Sequence, residues 1–101
     1  MTLQLITACD KVTQDAPFAY EGQGKKIAIY RVDDEFFATD NVCPHAHALM
    51  SDGFVEGDTI ECPLHGAVFN IRTGKCMGPP AESDLATYPV TVVENKIFLR
   101  L

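Results

Sequence analysis

The chain has 101 residues, 47% hydrophobic and 22% charged, which fits one globular domain over 1–101 and excludes a disordered or collagen-like chain. Surface scaling gives ~5,700 Å² for the folded form against ~16,000 Å² unfolded, enough burial for a core without disulfides. A net charge of −6, from 14 acidic and 8 basic residues, repels phosphate backbones and argues against nucleic acid as a partner.

In chain order, Leu3, Gln4, Leu5 and Ile6 predict a first strand, with Ala16-Pro17, Gly22 and Gly24 marking loops around it. Residues 26–32 and 35–40 are β-rich and flank Asp33-Asp34, a hairpin pattern. Three short strand candidates follow at 54–55, 59–61 and 67–71. Residues 88–93 and 96–101 form a second hairpin across Glu94-Asn95. There Tyr88, Val90 and Val92 share one face, as do Ile97, Leu99 and Leu101, and Pro89 sits at a strand edge or start. No segment keeps a 3.6-residue apolar period over three turns. The predicted fold is therefore all-β: an antiparallel sandwich or small barrel with a loop-rich subdomain, about 41–80, inserted between its sheets. Four of the six prolines and five of the seven glycines fall in that stretch, as expected of loops held around something other than a core.

No apolar run approaches the ~18 residues of a membrane span. The start, Met1-Thr2-Leu3-Gln4, lacks the basic and apolar blocks of a secretory signal, so a cytoplasmic location without membrane attachment is expected. In that compartment Cys9, Cys43, Cys62 and Cys76 point to thiolate chemistry rather than disulfides. Cys43-Pro44-His45 is followed, sixteen residues on, by Cys62-Pro63-Leu64-His65. Each loop offers one thiolate and one imidazole, stiffened by the proline after each cysteine, and Gly66 permits a tight turn beside His65. Two such loops face to face make a site of two sulfurs and two nitrogens. Zinc accepts that set, although its fingers pair Cys with Cys and His with His. A two-iron cluster with two histidines on one iron and two cysteines on the other calls for mixed loops of this kind.

These residues resemble the Rieske [2Fe-2S] signature. The match runs through Cys43-Pro44-His45-Ala46-His47-Ala48-Leu49 and Cys62-Pro63-Leu64-His65-Gly66. It continues through Phe69-Asn70, Arg72-Thr73-Gly74 and Gly78-Pro79-Pro80, which resembles the family's third loop over the cluster. The resemblance implies one [2Fe-2S] cluster held by Cys43, His45, Cys62 and His65, and no catalytic residue. His47 is then an exposed loop residue, Cys9 a small buried hydrophobe, and Cys76 a neighbour of the third loop that does not ligate. Within the family, the small size and the sequence Glu61-Cys62-Pro63-Leu64-His65-Gly66 resemble the stand-alone ferredoxins of bacterial aromatic-ring-hydroxylating dioxygenases. The implied role is a monomeric carrier taking single electrons from a flavin-dependent NAD(P)H ferredoxin reductase to the terminal dioxygenase.

Family members of respiratory complexes carry a disulfide between the cluster loops, but the matching positions here are Ala48 and Leu64. The hydroxyl-bearing positions after the second loop read Ala67 and Phe69. Without those hydroxyls the reduced, more negative cluster is less stabilised, which places the potential near the low end of the Rieske span, on the order of −150 mV. The charge-free run around Cys43 to Leu49 predicts an apolar tip, rimmed by Asp40, Asp52, Glu56 and Asp58. No nucleophilic triad serves Ser51 or Ser83, no Gly-rich nucleotide loop is present, and no two-His-one-carboxylate iron site of an oxygenase appears. The rival readings are the Rieske-like small subunit of a nitrite reductase, and a zinc-stabilised interaction module.

Overall fold

In the computed structural model, residues 3–44, 47–64, 66–79 and 83–101 are described. They form ten strands: β1 Leu3–Ala8, β2 Phe18–Gly22, β3 Lys25–Val32, β4 Glu35–Asp40, β5 Phe54–Glu56, β6 Thr59–Glu61, β7 Val68–Asn70, β8 Thr87–Tyr88, β9 Val90–Val93 and β10 Lys96–Arg100. The only helical elements among the described residues are two single 3-10 turns, Cys9–Lys11 and Met50–Asp52. The all-β expectation holds. Three antiparallel sheets result, with strand orders β1-β10-β9, β2-β3-β4-β8 and β5-β6-β7. The accessible surface, 5779 Å², matches the value expected from chain length.

Strand β3 organises the packing because it is buried on both faces. Successive side chains of a strand point to opposite sides. Ile27 and Ile29 meet Val12, Ala38, Ile97 and Leu99 in one core. Ala28, Tyr30 and Val32 meet Met50, Ile60, Phe69 and Ile71 in the other. The four-stranded sheet is therefore the middle layer. The β5-β6-β7 module enters the chain between β4 and β8, yet it packs on the outer face of the middle sheet. It does not lie between the two sandwich sheets as predicted, because the apolar run Ile27 to Tyr30 leaves a second hydrophobic face to cover.

Both predicted hairpins form. Asp33-Asp34 and Glu94-Asn95 each place two consecutive residues at positive φ, the twist that suits a two-residue hairpin turn, and Gln23-Gly24 does the same between β2 and β3. Two differences stand out. Strand β2 has no counterpart among the expected strands; with Phe18 and Tyr20 against the sandwich core and its neighbours exposed, it is a short edge strand beside β3. Tyr88 does not continue the C-terminal hairpin but pairs with Ala38 of β4. Pro89, lacking an N–H, falls at the break where the chain leaves the middle sheet for β9. Ile97 and Leu99 are buried as predicted, and Tyr88, Val90 and Leu101 pack against the same core. Val92 lies half-exposed at the sheet end.

Candidate metal centre

Two loops, one before the small module and one within it, are built alike. In the first, the Cys43 N–H donates to the Ala48 carbonyl at 2.9 Å; in the second, the Cys62 N–H donates to the Ala67 carbonyl at 2.7 Å. Each Cys-Pro thus opens a six-residue loop closed on the fifth residue after the cysteine. The second loop joins β6 to β7, with Glu61 opposite Val68, and Gly66 turns at φ +72° where a side chain would be strained. The first loop runs from the end of β4 to the 3-10 turn at Met50. Gly53, just past that turn, holds the two loops close: a Cβ there would strike the Glu61 carbonyl, directly before Cys62.

Cys43 and Cys62 are 3% and 1% exposed, packed among Met50, Ile60, Ala67 and Phe69. Burial pushes the Cys62 thiol pKa up, and the Cys43 thiol beside it and the Glu61 carboxylate push the same way, against donation from the Leu64 N–H. That combination brings the two thiols together at the mouths of two matched loops. A bound cation reverses the penalty, since thiolates pair with a metal where they would repel each other alone. The donor set therefore fits an iron–sulfur centre. His45 and His65 lie outside the described residues, and no third metal-binding side chain joins the two thiols among the described ones. His47 is exposed, as expected.

The segment after β7 folds back beside the second loop. The Met77 N–H donates to the Val68 carbonyl, Asn70 N–H to the Lys75 carbonyl, and Cys76 N–H to the Asp84 carboxylate at 2.8 Å. The Cys76 Sγ turns to the Gly78 carbonyl at 3.2 Å. Cys9 packs on the sandwich core, on the other side of the middle sheet. Ala67 and Phe69 are fully buried beneath the loops and offer no hydroxyl. Around the loops Val42, Leu49, Leu64 and Met77 are exposed, which makes the predicted apolar tip. Sequence reasoning missed Asn41 and Gly53; their only signal is a polar residue and a glycine bracketing the first loop.

A β-sandwich that brings two buried cysteines together on two matched loops has the architecture of a metal-centre domain. The chain matches the Rieske [2Fe-2S] domain over residues 2–89 and belongs to that family. It is 43% identical over 95 residues to the ferredoxin component of the naphthalene 1,2-dioxygenase/salicylate 5-hydroxylase systems of Ralstonia sp., covering 93% of this chain and 91% of that one. Among solved structures, the Sphingomonas yanoikuyae B1 ferredoxin superposes with a TM-score of 0.95 at 34% identity over 99% of both chains. A structure of reduced oxygenase with oxidized ferredoxin in carbazole 1,9a-dioxygenase matches with a TM-score of 0.90 at 33% identity, covering 96% of this chain and 91% of that one. The chain carries a [2Fe-2S] cluster and is an electron carrier rather than an enzyme. No helix among the described residues is long and apolar enough to cross a membrane.

Proposed function

We propose that this chain passes single electrons from a flavin-dependent NAD(P)H ferredoxin reductase to the terminal oxygenase of an aromatic-ring dioxygenase system. The observation that carries the reading is the pair of matched loops with Cys43 and Cys62 buried side by side. Residues 1–101 act as one Rieske domain with its cluster subdomain over about 41–80. Cys43 and Cys62 hold one iron, and His45 and His65 the other. The cluster supplies one-electron redox chemistry; the chain's residues set its position, its potential and its access. Neutral imidazoles leave the oxidised site uncharged and the reduced site singly negative, so reduction is easier than at a four-thiolate centre. The exposed Leu49, Leu64 and Met77 give the close apolar contact that electron transfer needs. A monomer in the cytoplasm suits this work.

Anaerobically purified protein is expected to hold about two irons and two acid-labile sulfides per chain. Stoichiometric zinc without visible absorption would overturn the reading in favour of a zinc module. Cys43→Ala or Cys62→Ala should abolish the cluster, and Cys9→Ala and Cys76→Ala should keep it. Loss of the cluster in Cys76→Ala would refute the ligand assignment.

A further inference from the structure

The second loop has a hairpin beneath it, with Ile60 opposite Phe69 and Glu61 opposite Val68. The first loop lacks that support. Strand β4 ends at Asp40, the chain after Leu49 goes into a 3-10 turn, and one isolated bridge, Val42 to Leu49, joins the two sides. Asn41 stands where the hairpin is missing. It is 2% exposed, and its Oδ1 accepts from the Ser51 N–H at 2.7 Å while its Nδ2 donates to Ser51 Oγ at 3.0 Å. Its own N–H donates to the Lys26 carbonyl of β3 at 2.8 Å, and its carbonyl accepts from the Met50 N–H at 2.6 Å. Four hydrogen bonds on one residue tie the two ends of the loop to each other and to the middle sheet.

We infer that Asn41 is the positioning residue of the first cluster loop, replacing with one buried amide the strand pair that supports the second. An amide suits the place because it offers an acceptor and a donor together. A carboxylate offers acceptors only and would bring a charge into the interior. The Cys43 thiolate sits two residues along from this clamp, so its placement against Cys62 depends on Asn41. The inference rests on the reading that Cys43 is a ligand.

The test compares holoprotein carrying Asn41→Ala, Asn41→Asp or Leu99→Ala, the last truncating the core on the far side of the middle sheet. Two readouts are taken at a temperature where every variant remains folded by circular dichroism: the EPR line widths of the dithionite-reduced cluster, and the rate of visible bleaching in excess chelator. Asn41→Ala is expected to broaden the lines and speed bleaching about tenfold, which is ~1.4 kcal/mol in the barrier. Asn41→Asp keeps the acceptor for the Ser51 N–H and lets the Ser51 hydroxyl donate to its second oxygen. It should broaden the lines less and bleach more slowly than Asn41→Ala, falling short of the native protein because of its buried charge. Leu99→Ala should lower the melting temperature without broadening. Unchanged lines and bleaching in Asn41→Ala, or equal broadening in Leu99→Ala, would overturn the inference. If Asn41→Ala does not assemble, Ser51→Ala removes the Oγ partner alone and should shift both readouts the same way by less; unaltered readouts there overturn it too. Cys43→Ala in the same assay separates the two readings. A cluster that survives it removes Cys43 from the ligand set, whereas its loss alongside an unaffected Asn41→Ala refutes the clamp only.

Discussion

Ala67 and Phe69 lie fully buried in the cluster that also holds Cys43 and Cys62, at the positions where the family resemblance implies hydroxyls that bond the cluster sulfurs. Installing Ala67→Ser with Phe69→Tyr should therefore raise the reduction potential, because each new donor stabilises the more negative reduced state. Two bonds of ~1 kcal/mol each amount to about 80 mV at one electron. Protein-film voltammetry checks this; a cluster-intact double mutant with an unchanged or lower potential would contradict it. Tyrosines carry the second prediction at this scale. The Tyr88 hydroxyl donates to the Asp40 carboxylate. Burial first, then that bond and the Asp40 charge, push its pKa up to about 12. Burial also raises Tyr30, whose hydroxyl bonds Thr39 at 2.8 Å. A phenol with a raised folded pKa keeps its proton longer in the folded state. Its contribution is whole below the unfolded value of ~10 and is lost as pH climbs toward the folded one. Urea midpoints should stay level up to about pH 10 and fall above it. Tyr88→Phe should make that fall shallower, and an equally steep fall would mean that Tyr88 does not couple folding to pH.

Among the elements, the close approach of the first loop's exit to β6 is the feature most exposed to a single methyl group. A Cβ on Gly53 would meet the Glu61 carbonyl, while Gly57, at φ +59°, has no atom within 4 Å of its own missing Cβ. Gly53→Ala should then cost roughly 1–3 kcal/mol by overpacking and release the cluster faster. Gly57→Ala should cost only the ~1 kcal/mol of left-handed strain and leave the cluster in place. Thermal melts paired with chelator bleaching distinguish the two, and equal behaviour would remove Gly53 from the account. These elements also show what was legible beforehand. The hairpins around Asp33-Asp34 and Glu94-Asn95 were readable because alternation and turn chemistry are local. The two cysteine loops were readable because Cys-Pro and Gly66 signal tight turns locally. Cys43 and Cys62 do meet in one buried cluster, while His45 and His65 lie outside the described residues. Strand β2 was hidden by its brevity between Pro17 and Gly22. Tyr88 was given to the wrong strand because the jump at Pro89 is decided by pairing with Ala38, fifty residues away. Asn41 and Gly53 were invisible for the same reason: their partners, Ser51 and Glu61, are set by tertiary contact and carry no spacing rule.

Across the whole molecule, charge is distributed as unevenly as structure. From 33 to 71 the chain has no lysine or arginine and eight acids, so the stretch from the β3-β4 turn to the end of β7 is single-signed. Arg72 ends that run and ties the layers together, its guanidinium 3.0 Å from Glu35, 3.5 Å from Asp33 and 3.9 Å from Asp58, and 5.0 Å from the Phe37 ring centre. Asp58 is thereby partly neutralised, and Asp40 is held by Tyr88. Of the predicted acidic rim, Asp52 and Glu56 are the exposed members that no ion pair engages among the described residues. Asp52, whose N–H donates to the Leu49 carbonyl, stands beside the apolar tip of Leu49, Leu64 and Met77. Glu56, opposite Thr59, lies at the other end of the β5-β6 hairpin from Cys62. Of these two, only Asp52 is therefore placed to steer a basic surface toward close apolar contact. Exposed charges are screened beyond ~8 Å at physiological salt. Electron transfer from the ferredoxin reductase, followed by stopped flow, should accordingly slow as ionic strength rises. Asp52→Lys should flatten that dependence more than Glu56→Lys, and reversal of both should flatten it further, while the reduction potential moves little. Asp58→Lys is the poorer probe, because it would set a cation against Arg72 and loosen the joint between layers. A rate that climbs steadily with salt, or a slope indifferent to both reversals, would mean that the acidic run serves solubility and that docking is governed by the apolar tip alone.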